Sequence, residues 1–245
     1  MVGSAAPLAG AVAIFGGRLV TPSAAVEKVR VYIDGFNLYY RALRNRPAPS
    51  GGTYKWLDLA KLAGALMPLP KYTIDRIRYF TANVRSLPDD PDAPVRQQAY
   101  LRALKTLSPL VTIHHGFFMA KQTRARLVTP LSDGTKTVTV HKTEEKGSDV
   151  NLATYLLLDG FRNEYDVAAV VTNDSDLVEP VRIVRDELKK TIIILGPNPN
   201  PKHASRELTA AATAFKPIRE GALRASQFPD TFTDAVGTIS KPVGW

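Results

Sequence analysis

Five short apolar runs along the chain predict buried β-strands. They lie at residues 29–33, 74–82, 111–118, 167–172 and 191–195. Between them, apolar residues recur at helical spacing. The predicted helices are 36–44, 56–66, 92–107, 150–161, 177–188 and 205–214. Apolar strands that alternate with helices are typical of a parallel sheet covered on both faces, so the pattern predicts an α/β fold.

One polar segment outside this alternation predicts a β-hairpin. Two β-like runs, 123–129 and 136–143, flank the turn sequence Ser132-Asp133-Gly134. We expect the hairpin to form an insertion of about residues 121–143 in the domain.

The α/β pattern places a single domain at residues 27–215. Residues 1–26 are expected to form a poorly ordered N-terminal extension with an early strand at 11–15. Residues 216–245 are expected to be a C-terminal tail that packs on the domain.

Composition narrows the class of protein. The 245 residues, 44% hydrophobic and 22% charged, suit one globular domain with its own core. The chain has no cysteine, which excludes disulfides, a cysteine nucleophile and thiolate zinc sites. We therefore expect a cytoplasmic protein. No apolar run reaches the roughly 18 residues of a membrane span, so no membrane partner is expected. The net charge of +9 favours a polyanionic partner such as nucleic acid.

Four aspartates lie at the ends of predicted elements. Asp34 directly follows the first strand, Asp174 and Asp176 follow the fourth, and Asp149 opens the helix before it. Ligands of open α/β sheets bind beyond the carboxyl ends of the strands, where the strand order reverses. Clustered carboxylates repel one another unless a cation lies among them or some are protonated, and oxygen ligands select hard ions such as Mg²⁺ or Mn²⁺.

Each acid also has a purely structural interpretation. Asp34 could belong to a turn with Gly35, and Asp149 could be a first-turn helix charge. Asp174 and its neighbours could cap the next helix. Their coincidence at one edge of the predicted sheet favours a metal site.

Three stretches in order resemble the motifs of NYN-domain proteins, a branch of the PIN-like nucleases. Residues 29–40 (VRVYIDGFNLYY) resemble their first strand and turn, 145–150 (EKGSDV) their second motif, and 166–177 (DVAAVVTNDSDL) their third. The resemblance extends to about residue 215. It implies a PIN-like three-layer fold with five mainly parallel strands in the order 3-2-1-4-5, Mg²⁺ or Mn²⁺ dependence, and RNA hydrolysis. We expect products with 5′-phosphate and 3′-hydroxyl ends.

The resemblance also assigns roles to residues. Its acidic set, metal-binding and catalytic, comprises Asp34, Asp149, Asp174 and Asp176. Asn37 would orient Asp34 or a water at the metal. Thr172, which matches a Ser/Thr position beside the acids, is a candidate for substrate binding. Not every member of this branch has nuclease activity, so the alternative is a non-catalytic RNA-binding or regulatory module with the same fold.

Basic residues near these motifs are candidates for substrate binding. Lys146, beside the second motif, would hold the scissile phosphate. The predicted hairpin carries five more, namely Lys121, Arg124, Arg126, Lys136 and Lys142. They predict an arm that follows the phosphate backbone of RNA, single-stranded or structured. The alternative is a charged edge that prevents sheet aggregation. A homo-oligomer or a regulatory protein partner stays open.

Aromatic residues near the first motif could lie in the core or bind bases, and a phosphatase is an alternative enzyme class. Phe36, Tyr40 and Leu43 share a helical face and are expected in the core, whereas Tyr39 and Tyr54 are candidates for stacking on unpaired bases. A phosphatase with Asp34 as nucleophile would usually need a second Asp two positions on, where this chain has Phe36.

Overall fold

The computed structural model describes residues 25–44, 46–49, 51–86 and 88–245. The predicted strand at 11–15 and nearly all of the expected N-terminal extension lie outside these residues. Ten strands are described: β1 (Glu27–Asp34), β2 (Tyr72–Thr81), β3 (Val111–His115), β4 (Phe117–Arg126), β5 (Thr137–Lys146), β6 (Val167–Val171), β7 (Thr191–Gly196), β8 (Ala214–Pro217), β9 (Thr231–Asp234) and β10 (Gly237–Ser240).

The first six helices lie within a few residues of their predicted positions. The helices are α1 (Gly35–Leu38), α2 (Leu59–Leu66), α3 (Ala93–Lys105), α4 (Ser148–Phe161), α5 (Val178–Asp186), α6 (Arg206–Ala211) and α7 (Glu220–Ala225). A π-helical turn, Tyr39–Leu43, continues α1. Among the described residues, no helix has both the length and the apolar character that crossing a membrane requires.

The central sheet has six strands, in the order β3-β2-β1-β6-β7-β8, and every neighbouring pair is parallel. The predicted α/β class is confirmed, and the predicted five-stranded sheet is wrong. The additional strand is β8, which pairs with β7 at the edge. Its four residues are alternately exposed and half-buried and end in proline, so they contain no apolar run that would predict a strand.

Alternate residues of β1 face two separate apolar cores. Val31 and Ile33 pack in a core with α2, α3 and α7. Tyr32 packs in the opposite core with α4, α5 and α6. The sheet is therefore the middle of three layers, and its strands are apolar on both faces because both are covered.

The predicted hairpin is present but longer than expected. β4 and β5 form a separate antiparallel sheet, paired from Phe117 with Lys146 to Arg126 with Thr137. Only Gly116 separates β3 from β4, so the predicted strand 111–118 is in fact divided by a corner. A Cβ atom at Gly116 would collide with the carboxylate of Glu145 and the carbonyl of Lys146. Glycine is therefore needed where the chain leaves the sheet.

The segment after β8 contacts the layer that contains α2 and α3. The Trp56 indole donates to the Pro229 carbonyl at 2.8 Å. Arg102 of α3 binds Asp234 of β9 with Nε–Oδ2 and Nη2–Oδ1 distances of 2.9 and 2.6 Å. Ile239 of β10 is buried in the same core.

A buried carboxylate joins the sheet to α4. Asp159, only 2% exposed, accepts hydrogen bonds from the Tyr32 hydroxyl at 2.8 Å and from Arg78 at 2.8 and 3.0 Å. Arg30 approaches its other side at 3.1 Å and also binds Glu164. Burial acts to raise the pKa of Asp159, but the bonds from Arg78 and Tyr32 outweigh it and the pKa falls below its ordinary value.

We expect Asp159→Asn to lower the free energy of unfolding by about 3–5 kcal/mol, because it leaves two largely buried guanidinium groups without their shared carboxylate. Urea denaturation measures the change. The matched control is Asp186→Asn, whose carboxylate pairs with Arg185 at the surface and should contribute less than about 1 kcal/mol. Equal effects of the two variants would contradict the structural role of Asp159.

Candidate metal centre

Three carboxylates converge at the carboxyl edge of the sheet. One oxygen from each of Asp34, Asp149 and Asp174 lies within 4.8 Å of the other two. β1 and β6 pair in parallel as far as Ile33 opposite Val171, so the residues that follow these strands emerge side by side. Asp149 joins them from the first turn of α4.

Hydrogen bonds fix the two loops that carry these acids. The Thr172 hydroxyl donates to Asp34 Oδ2 at 3.1 Å and accepts from the Asp174 amide at 3.1 Å. Asp34 Oδ1 accepts a hydrogen bond from the backbone N–H of Asn37 at 2.8 Å, and this bond caps α1. Asn37 Oδ1 in turn accepts from the Asn173 amide at 3.0 Å. Asn37 thus holds α1 against the loop after β6.

Gly35 allows α1 to begin directly after β1 and close to β2. A Cβ atom there would lie 2.6 Å from the carbonyl oxygen of Phe80 and 2.7 Å from the ring of Tyr79. No larger residue fits without moving backbone, so the close approach of α1 to β2 depends on this glycine.

Asp176 lies outside the cluster of three. It is exposed, and its amide donates to Asp174 Oδ1 at 3.0 Å. Its negative charge still contributes to the raised pKa of Asp149. The structure therefore brings together three of the four predicted metal ligands and leaves Asp176 at the rim.

Sequence reasoning missed Glu145 as part of this site. Glu145 lines the same cavity of about 230 Å³ as the three aspartates. Its carboxylate accepts from the Ser148 hydroxyl at 2.7 Å and from the Ser148 amide at 3.1 Å. The available signal was its position in the second motif, three residues before the serine that opens α4. Phe36 and Phe118, 5.6 Å apart, form an aromatic wall.

The cluster carries negative charge without a basic partner. Burial, and then the charge of Asp174, raise the pKa of Asp34 to about 6, although hydrogen bonds from Asn37 and Thr172 act in the opposite direction. Burial and the charges of Asp34 and Asp174 also raise the pKa of Asp149 to about 6. In the described part of the chain, no lysine or arginine forms an ion pair with the three acids. This oxygen-only set fits a hard divalent cation.

The predicted basic arm is divided between the two faces of the hairpin. Lys121 lies opposite Lys142, and both contact Glu144, as does Lys146 at 3.2 Å. Arg124 lies on the other face, with Phe118 and Glu145, and donates to the Thr137 hydroxyl at 2.8 Å.

The remaining predicted substrate residues occupy three different positions. Arg126 pairs with Thr137 at the far end of the hairpin, on the same face as Arg124. Lys136 precedes β5, and its carbonyl accepts from the Leu127 amide. Thr172 is fully buried, so its hydroxyl positions Asp34 and does not reach a substrate.

Two aromatic predictions are wrong. Tyr54 is 2% exposed and donates to Glu220 at 2.7 Å, so it cannot stack on a base. Tyr40, expected in the core, is 55% exposed beside the acidic cavity. Tyr39 is half-buried with its ring 5.2 Å from that of Tyr40.

Comparisons with known proteins give a matching family and two similar proteins. The NYN domain family model matches residues 28–219, which contain all three motifs. A protein of Pseudomonas putida (strain DSM 28022 / S16), named 6-hydroxy-3-succinoylpyridine 3-monooxygenase, is 28% identical over 241 residues, covering 89% of this chain and 75% of that protein. A crystal structure of a protein of unknown function from Vibrio parahaemolyticus RIMD 2210633 aligns with a TM-score of 0.49 and 16% identity, over 85% of this chain and 100% of that one.

We expect the metal-free protein to lose stability relative to Asp34→Asn as the pH rises from 4 to 7. The folded state holds the Asp34 proton up to about pH 6, whereas the unfolded state loses it near pH 4. Stability therefore falls through this window. The difference in unfolding free energy between the two proteins, measured in EDTA, should change by about 1–3 kcal/mol.

Divalent metal should reverse this difference. At pH 7, Mn²⁺ should raise the melting temperature of the wild type more than that of Asp34→Asn, since it binds the ionised cluster. A stability difference that is independent of both pH and metal would refute the assignment.

Proposed function

This chain belongs to the NYN domain family, whose fold is that of the PIN-like nucleases, and on that basis we propose that it is a metal-dependent ribonuclease. It hydrolyses RNA phosphodiester bonds and leaves 5′-phosphate and 3′-hydroxyl ends. One observation carries the proposal, which is the convergence of Asp34, Asp149 and Asp174 within 4.8 Å, without a basic partner, at the carboxyl edge of the sheet.

The residues of the cluster have separate tasks. Asp34, Asp149 and Asp174 hold Mg²⁺ or Mn²⁺. An ion held there would supply positive charge that stabilises the phosphoryl oxygens and lowers the pKa of a water molecule. Thr172 and Asn37 orient the acids and prevent the two loops from separating under their repulsion. Asp176, at the rim, adds negative charge that favours cation binding.

The hairpin supplies the path of the RNA backbone. Arg124 and Arg126 share a face with Phe118 and Glu145, which line the metal site. Arg124 lies six positions along the extended strand from Phe118, a distance of about 20 Å. That face therefore leads from the acids to two arginines that bind phosphates several nucleotides away.

The opposite face of the hairpin has a different role. There Lys121, Lys142 and Lys146 surround Glu144. Lys146 lies on the face opposite Glu145 and does not line the acidic cavity, so its contact with the scissile phosphate stays a prediction from the sequence. Lys121, Lys142 and Lys136 add to the positive field around the arm. A phosphate that replaced the Glu144 carboxylate as their partner would contact all three lysines.

A second candidate function follows from the Pseudomonas relative. It is similar to 89% of this chain and is named a monooxygenase. Non-haem iron oxygenases typically bind their metal with two histidines and one carboxylate. The cluster of the described residues here consists of three carboxylates. Its donor set favours the nuclease.

We expect Asp34→Asn and Asp174→Asn each to reduce metal-dependent RNA cleavage at least about 100-fold, because each removes a charged ligand from the acidic cluster. The assay is cleavage of 5′-labelled single-stranded RNA with Mg²⁺ or Mn²⁺. Asp186→Asn is the matched control and should cleave at the wild-type rate.

Three results would contradict the ribonuclease proposal. Unchanged cleavage by both cluster variants would remove these acids from the reaction. RNA binding by the wild type without cleavage in either metal would favour the non-catalytic module. Oxygen consumption with 6-hydroxy-3-succinoylpyridine and a reductant, in the same preparations, would favour the monooxygenase.

The hairpin path is tested by replacing Arg124 and Arg126 together with Gln. Loss of two phosphate contacts should reduce the slope of log affinity against log salt by about 1.4 for single-stranded RNA. Fluorescence anisotropy of labelled RNA in EDTA measures it. Arg182→Gln, on the exposed face of α5, should leave the slope unchanged. A larger effect from replacing Lys121 and Lys142 would place the RNA on the opposite face.

A further inference from the structure

A second cavity adjoins the acidic one. It also measures about 230 Å³, and it is bounded by the α1 turn, the end of β2, the first turns of α3 and Trp245. Phe36 and Tyr40 line both cavities. The two cavities are therefore neighbours that share these two rings.

Four basic side chains surround the second cavity, together with two acidic ones. They are Arg44, Lys55, Arg85 and Arg96, with Asp89 and Asp90. Asp90 is engaged by Arg96. Within the described residues, no carboxylate lies within ion-pair distance of Arg44 or Lys55. An anion would relieve this local excess of positive charge.

Lys55 is the basic group most affected by this arrangement. Burial, and then the charges of Arg96 and Arg44, lower the pKa of its amine. Its Nζ atom lies 5.7 Å from the centre of the Tyr39 ring. A phosphate beside Lys55 would replace lost hydration with an ionic contact.

Aromatic rings form the other part of the cavity wall. Tyr40 is 55% exposed, and the Arg44 guanidinium lies 5.3 Å from its ring centre. Tyr79, Tyr100 and Trp245 also line the cavity. The volume is below the roughly 300–1,000 Å³ of most small-molecule pockets, so it suits a single ring system. Planar rings beside cations are the chemistry that binds a base together with its phosphate.

We propose that this cavity binds one nucleotide, with its base against Tyr39 and Tyr40 and its phosphate against Lys55 and Arg44. The assignment rests on the proposed ribonuclease only for its role, which is to hold the nucleotide next to the scissile phosphate. Binding of the nucleotide is independent of cleavage and of metal, because none of the three acids lines this cavity.

The test is isothermal titration of the full chain with AMP, adenosine and inorganic phosphate, in Mg²⁺ and separately in EDTA. AMP should bind at least about tenfold more tightly than adenosine or phosphate, because only AMP makes both contacts. Lys55→Met should weaken AMP binding about tenfold or more, the effect of one charge-assisted hydrogen bond. Tyr40→Leu should weaken it at least about fivefold.

Lys105→Met, at the far end of α3, is the matched control and should bind AMP like the wild type. Equal affinity for AMP and phosphate, or wild-type binding by Lys55→Met and Tyr40→Leu, would overturn the proposal. Failure of AMP to bind would also overturn the proposal. Binding that needs Mg²⁺ and is lost in Asp174→Asn would overturn it by assigning the nucleotide to the metal site.

The two proposals fail separately. If the wild type cleaves no RNA but binds AMP, and Lys55→Met weakens that binding, the nucleotide site is supported and the ribonuclease is not. In an active chain, Lys55→Met should raise the KM for short RNA about tenfold and leave kcat within about twofold, because it changes binding and not the reacting groups.

Discussion

Parallel pairing of β1 with β6 is the constraint on which the site depends. The sheet continues from β1 to β2 and β3 on one side and from β6 to β7 and β8 on the other. The strand order therefore reverses between these two strands, and the loops that follow them diverge and leave a crevice. Asp34 and Asp174 lie at its two edges. Thr172 and Asn37 then set how far the edges can separate.

Two acidic centres among the described residues have opposite electrostatics. Asp159 lies between two arginines, which lower its pKa and make it a structural link. Asp34 and Asp149 have no such partner, and their pKa values are raised to about 6. Repulsion within the second centre is a cost to folding that no described lysine or arginine offsets, although hydrogen bonds from Asn37 and Thr172 reduce it. A site of this kind is best explained by a ligand of opposite charge.

Sequence could predict the parts of the fold that depend on local pattern. The buried strands are apolar runs, and Asp34 and Asp174 follow two of them, so these acids were found from position alone. β8 was missed because an edge strand of four half-exposed residues has no apolar run. Burial of Tyr54 and exposure of Tyr40 depend on contacts with the distant segment that contains Glu220 and on the path of α1. Short-range periodicity holds no information on such contacts.

The net charge of +9 acquires meaning only from its arrangement. The two cavities that share Phe36 and Tyr40 have opposite charge, one acidic and one basic. A divalent cation satisfies the first and a phosphate satisfies the second, so a metal ion and an RNA chain together neutralise both. Each alone leaves one cavity unpaired. The two cavities share Phe36 and Tyr40, but none of the three acids lines the basic one. The nucleotide and the metal therefore neutralise separate charges, and neither needs the other in order to bind.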